Sequence, residues 1–277
     1  MTVTPTVSAS FIKNFEADVH LAYQQVGSKL KNAVRSKDGV IGATTVFQKI
    51  GTGVAATKER HGQVPVMNLN HAPVECSLQD YYAGDWVDAL DEIKMNIDER
   101  RVIATSGAYA LGRKTDELII AALASATSAN DVGDYTAVLS KATILAAFTK
   151  LNTNNIPDDG QRFAIVGPLQ WNALLNIEEF ASSDYVGDDT PFTKGTESRK
   201  WLGINWIMHT GLPLTDSTKR DCFVFHRNAV GHACGKDVTT DITWHGDYAA
   251  HFVNNMMSQG ACLIDGTGVV RIKCKEA

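Results

Sequence analysis

Paired cysteines, long apolar runs and a surplus of positive charge are all missing from this sequence, and each absence excludes a class of protein. The greasiest stretch, Leu118 to Ala126, is short and already holds Ser125, far below the roughly 18 apolar residues that a membrane span needs. The opening residues, Met1 to Ser10, carry neither a basic segment nor an apolar one, so no secretory leader is read there and folding in a reducing cytosol is expected. The five cysteines, Cys76, Cys222, Cys234, Cys262 and Cys274, are odd in number and form no C-x-x-C pair, which argues against a disulfide framework or a zinc ribbon. With 26 Lys plus Arg against 31 Asp plus Glu and a net charge of -5, the chain lacks the clustered cations with which proteins neutralise many duplex phosphates. Lys29, Lys31, Arg35 and Lys37 read as a solvated face.

Signatures of catalysis are also absent. There is no H-E-x-x-H, no G-x-S-x-G and no G-K-[ST], and Gly51-Thr-Gly53 has no third glycine at the dinucleotide-binding spacing. His226, His232 and Cys234, with His245 and His251 beyond them, do not match the ligand spacing of a known zinc module. Asp158-Asp159 and Asp188-Asp189 stand beside glycine in polar segments and read as turns. No catalytic residue, metal ligand or cofactor is assigned.

What the sequence does have is material for about two compact units in 277 residues, 44% of them hydrophobic. Residues 1–12 form an arm with no core of its own. Phe11, Phe15, Val19, Tyr23, Val26, Leu30 and Val34 then recur at spacings of three and four, predicting a helix with one sticky side from Ser10 to about Arg35. Between Val46 and Leu78, Gly51, Gly53, Gly62, Pro65 and Pro73 punctuate short β-prone pieces around Lys58-Glu59-Arg60-His61. This is a long hairpin too poor in large apolar side chains to fold alone. From Asn96 to Ala126 one apolar face persists through Ile97, Ala104, Ala108, Leu111, Leu118 and Ala122, a helix of about 45 Å at 1.5 Å per residue. Gly107 and Gly112 inside it imply close packing or a bend. Arg113 and Asp116 stand one turn apart, as an intrahelical ion pair or as a contact to a neighbouring chain. A second helix over Thr136–Leu151, a strand at Arg162–Val166, a helix from Pro168 and a β-rich remainder complete an α+β pattern.

Several segments carry a resemblance: Val46-Phe-Gln-Lys-Ile-Gly51 with Gly53; Asp85-Trp-Val-Asp-Ala-Leu-Asp-Glu-Ile-Lys94; Ala110-Leu-Gly-Arg-Lys-Thr-Asp116 with Ile119 and Ile120; Ala164-Ile-Val-Gly-Pro-Leu-Gln-Trp171; Phe225-His-Arg-Asn-Ala-Val230; and Gly260-Ala-Cys-Leu-Ile-Asp265 before Val269-Val-Arg-Ile272. In this order they resemble the tailed-phage major capsid proteins of the Hong Kong 97 (HK97-like) coat fold. The resemblance implies an N-terminal arm at 1–45, an extended loop at 46–80, a peripheral domain with its spine helix at 81–130, an axial domain at 131–244, and C-terminal strands at 245–277 returning to the peripheral domain. It implies a shell of pentamers and hexamers around double-stranded DNA that is contacted without base reading, in a virion assembled in the host cytoplasm. Implied partners are further copies of the chain, a separate scaffolding protein, a portal and decoration proteins, with no membrane and no large propeptide. Interface candidates are Phe11, Phe15, Val19, Lys58, Glu59, Arg60, Arg113 and Asp116, and Cys76 or Cys234 are candidates for inter-subunit disulfides. Two rival readings are an encapsulin-like compartment and a soluble α+β metal-dependent enzyme using His232 or Cys234.

Overall fold

The computed structural model describes residues 24–94, 98–181 and 199–276. In chain order its elements are β1 (Arg35–Asp38), β2 (Thr44–Ile50), β3 (His71–Ser77), β4 (Gln79–Asp88), α1 (Ala89–Lys94), α2 (Glu99–Ala124), α3 (Lys141–Thr153), β5 (Arg162–Val166), α4 (Pro168–Leu175), α5 (Glu178–Ala181), β6 (Arg199–Trp201), β7 (Ile204–Met208), β8 (Leu214–Asp216), β9 (Lys219–His226), β10 (Val230–His245), β11 (Ala250–Leu263) and β12 (Val269–Lys275). One sheet runs β1-β10-β11-β4, a second runs β12-β9-β5-β7-β6 with β8 beside β9, and β2 and β3 form a ladder of their own.

The long helix α2 lies across the first sheet because both surfaces are patterned for it. Its Asp98 cap accepts the Arg101 amide at 3.3 Å, satisfying one of the free donors of the first turn. On β11 the face beneath it presents Val253, Asn255, Met257 and Gln259 at two-residue intervals, all buried. A Cβ on Gly107 would collide with the Asn255 amide, and one on Gly112 would stand 2.7 Å from the Gly27 Cα. Close approach therefore explains both glycines. Asn255 cannot swing aside cheaply, since it is buried, donates to the Ala83 carbonyl at 3.1 Å and accepts from Thr240 at 2.5 Å.

The second sheet carries the main core. Ile165, Phe223, Phe225 and Trp206 are fully buried against Ile144 and Leu151 of α3, and the same cluster takes in Ile119 and Leu123 from the C-terminal half of α2. Thus α2 joins both sheets into one apolar interior. The capping box of Ser140 and Thr143 starts α3, five residues later than the periodicity alone places it.

One expectation about the elements is corrected. Where described, the segment read as a helix up to Arg35 is a 3₁₀ turn, Lys31–Ala33, followed by β1, which pairs parallel with β10; its earlier part lies outside the described residues. Leu30 and Val34 are buried all the same. β10 pairs with β11 along most of its length, and its Gly231–Cys234 segment pairs with β1 on the other side. β12 pairs along its length with β9.

Gly107→Ala is expected to destabilise the chain by about 1–2 kcal/mol in a urea titration, even though alanine is the better helix former, because overpacking outweighs the propensity gain. Gly112→Ala is expected to cost more, since its obstacle is backbone. A gain in stability from either variant would contradict this packing.

Candidate functional site

Among the described residues the most densely bonded carboxylate is Asp116, on the inward face of α2. It is 0% exposed and joins three parts of the sequence. Ser28 Oγ donates to it at 2.5 Å, the amides of Lys29 and Leu30 at 3.1 Å each, and Gln25 Nε2 at 2.5 Å. From the residue after β7, His209 contributes its Nε2 at 3.0 Å. The Gly211 amide donates to His209 Nδ1 at 3.0 Å, so the ring proton sits on Nε2, aimed at the carboxylate. Burial works to raise the Asp116 carboxyl, but the donors, His209 first and then Ser28, outweigh it and hold the group below its ordinary range. This carboxylate fastens the incoming chain to the spine helix and the end of β7.

The pair expected between Arg113 and Asp116 is therefore corrected. Arg113 is exposed and donates to Gln24 Oε1 at 2.6 Å, while Asp116 faces the interior and has no surface to offer a neighbour. A cleft of about 860 Å³ opens beside the junction, among Lys29, Arg113, Glu117 and His209. Its imidazole is engaged through both nitrogens, which suits structure and not proton transfer.

The second feature is a projecting hairpin. β2 and β3 pair antiparallel from Thr44↔Ser77 to Ile50↔His71, and Gly51 donates to the Asn70 carbonyl at 2.8 Å. The two arms run on to a tip where Gly62 donates to the Glu59 carbonyl at 3.0 Å. Every residue from 51 to 70 is exposed, including Val54, Val64, Val66 and Met67. Lys58, Glu59 and Arg60 stand at the tip. Only the root is anchored, where Phe47 and Cys76 pack with Ala233 and Ile264 and Lys49 meets Asp265 at 2.8 Å.

A third feature was not legible beforehand. At the far end of β4, β10 and β11, Trp86 packs against His245, Tyr248 and Phe252 with ring centroids 4.6–5.2 Å apart. Trp86, Tyr82, Trp244 and Tyr248 are all substantially exposed. Aromatic residues flanking the turn at Gly246-Asp247 were the available signal. The remaining expected residues separate clearly. Phe11, Phe15 and Val19 lie outside the described residues. Cys76 and Cys234, the candidates for inter-subunit disulfides, are 1% and 3% exposed in the single chain. His226 meets Asp159 and His232 meets Gln259, each at 3.1 Å. No group of three His, Cys, Asp or Glu suited to a metal is present among the described residues, and no helix among them is long and apolar enough to cross a membrane.

A model of the family described as "Phage capsid protein" matches residues 7–276. The chain belongs to this phage capsid protein family. Its architecture is the HK97-like coat fold, α+β with a spine helix, and solved capsid chains share it at low identity. One from Mycobacterium phage Che8 is 21% identical with a TM-score of 0.72, covering 96% of this chain and 98% of that one. The capsid of cyanophage P-SCSP1u is 15% identical with a TM-score of 0.75, covering 97% and 94%. The capsid of cyanophage Pam1 is 13% identical with a TM-score of 0.70, covering 100% of each. A comparison with curated proteins by sequence gives no match. The capsid protein is thus a shell component of the virion, and neither the compartment reading nor the metal-enzyme reading gains support from the described residues.

Asp116→Ala is expected to cost about 3 kcal/mol in chemical denaturation, because it strands several buried donors at once. The wild-type carboxyl titrates below its unfolded value of 3.8, so its contribution is complete above that value and is lost as pH falls through the lower, folded one. Urea midpoints compared between pH 7 and pH 3 are expected to drop below about pH 4, and to drop less in Asp116→Asn. Equal acid sensitivity in the two proteins would refute the role.

Proposed function

We propose that this capsid protein is the major shell subunit, assembling as pentamers and hexamers into an icosahedral shell around double-stranded phage DNA. The observation that carries this reading is the hairpin at 51–70, which exposes an apolar surface that it cannot cover. A neighbouring copy supplies the missing layer. Recovering burial for Val54, Val64, Val66, Met67 and Leu69 is worth on the order of 5–10 kcal/mol per subunit before the costs of association. Many such modest contacts, each completed only on association, make stability depend on concentration. They also let a shell close from identical parts.

In this reading residues 1–45 serve as the arm, the rest of the β2–β3 hairpin as the extended loop, α2 with β4, β10 and β11 as the peripheral domain, and the six-stranded sheet as the axial domain. Phe11, Phe15 and Val19 of the arm, Lys58, Glu59 and Arg60 of the tip, and Arg113 beside the cleft contact neighbours. The charge of -5 suits a container that meets DNA through counterions and without base reading. A separate scaffolding protein, a portal and decoration proteins are the expected partners, assembly takes place in the host cytoplasm, and the subunit is not an enzyme.

The test is negative-stain microscopy of the full chain expressed alone and with its neighbouring genes, beside the variant Val64→Asp/Val66→Asp. Both side chains are more than 70% exposed, so the double variant is expected to keep the melting temperature of the unassembled subunit while losing closed shells. Shells formed equally well by the variant, or a wild type that stays monomeric under every condition, would overturn the proposal.

A further inference from the structure

The root of the hairpin holds two cysteines that belong to distant parts of the sequence. Cys76 ends β3 and is 1% exposed; Cys262 lies near the end of β11 and is half-buried. Both belong to the small apolar cluster of Phe47, Ala233 and Ile264. They meet because the backbones do: a Cβ on Gly260 would collide with the Ser77 carbonyl and stand 3.4 Å from the Leu78 Cα. Only glycine at 260 lets β11 pass so close to the end of β3. One residue back from Ser77 and two forward from Gly260, Cys76 and Cys262 pack in the same cluster.

We propose that Cys76 and Cys262 form an intrachain disulfide under oxidation, a covalent staple fixing the hairpin root to the sheet under the spine helix. The oxidant is hydrogen peroxide, small enough to enter beside the half-buried Cys262, and the proton Cys76 gives up on ionising goes to the first hydroxide released. The Cys76 thiolate attacks one peroxide oxygen; the O–O bond breaks, hydroxide leaves, and Cys76 becomes a sulfenic acid. The Cys262 sulfur then attacks the Cys76 sulfur, forming the S–S bond and breaking S–O. The departing hydroxide takes the Cys262 proton as water. Two thiols lose two electrons and one peroxide becomes two waters.

Cys76 is written as the attacking thiol because its neighbours, the Cys262 side chain first and the Ala233 amide, lower its titration, whereas the Cys76 contact and burial raise that of Cys262. A host cytosol keeps both reduced while subunits assemble, and the staple closes after release into oxidising surroundings. Cys222 and Cys274 are also neighbours, on β9 and β12, but both are fully enclosed in the main core. Cys234 belongs to neither apolar cluster.

Trypsin separates all five cysteines, so peptide mass mapping reads the linkage directly. The full-length protein, before and after treatment with hydrogen peroxide, is denatured in alkylating reagent and digested without reductant. The expected product joins the peptide spanning 61–94 to that spanning 237–271, in a chain that still migrates as a monomer and whose other three cysteines are alkylated. Cys222→Ser is expected to keep this product. Cys262→Ser is expected to lose it and to accumulate dimedone-reactive sulfenic acid at Cys76 instead. Unchanged alkylation of Cys76 and Cys262 in oxidised wild type, or linkage of either to any other cysteine or another chain, would overturn the proposal.

Discussion

A two-stranded ladder has two faces and no third layer, so its apolar side chains can be buried only by something outside it. That constraint governs the capsid protein. β2 and β3 pair from Thr44↔Ser77 to Ile50↔His71, yet beyond them the two arms carry only the Gly51–Asn70 bond and the Gly62–Glu59 bond at the tip, with every side chain exposed. Backbone hydrogen bonds contribute little net stability in water. The hairpin therefore holds its shape through its root, and its surface is left open by the described residues. A projecting element of this kind is a liability in an isolated protein, and its presence here fits a subunit made to be covered.

For such an element to be placed usefully, the body behind it must be stiff, and the interior is arranged to that end. α2 bridges both sheets within one apolar cluster, and Asp116 adds a polar fastening where the entering chain, the helix and the end of β7 converge. A buried carboxylate is costly unless it is fully bonded. Asp116 is, with donors from both a preceding segment and a following strand. The hairpin root is tied to the same body by Phe47 lying over Gly231, by Lys49 to Asp265, and by the cysteine contact.

Much of this architecture was legible because it rests on local pattern. Arg162–Val166 reads as a strand and Pro168 as a helix start from a few residues, and the spine helix shows its periodicity within a few residues of its true ends. The hairpin showed itself through glycine, proline and a shortage of large apolar side chains. Features resting on partners remote in sequence were not legible. Asp116 looks like a surface ion pair because Arg113 stands one turn away, whereas its true donors lie 86 to 93 residues distant. The stripe through Leu30 and Val34 has helical spacing, but Asp116 captures the Lys29 and Leu30 amides and β10 captures β1. β10 reads as part of a His- and Cys-rich third because glycine and aspartate interrupt its alternation; its pairing with β11 decides its place. Gly260, likewise, discloses its reason only when Ser77 lies against it.

The central claim, that the hairpin is completed by other copies, is tested most directly by hydrogen exchange of residues 51–70 in closed shells and in dissociated subunits at equal pH. The account predicts slow exchange across this segment in shells and fast exchange in free subunits, with β5 and β9 protected in both. Equal protection in the two states, fast or slow, would contradict it.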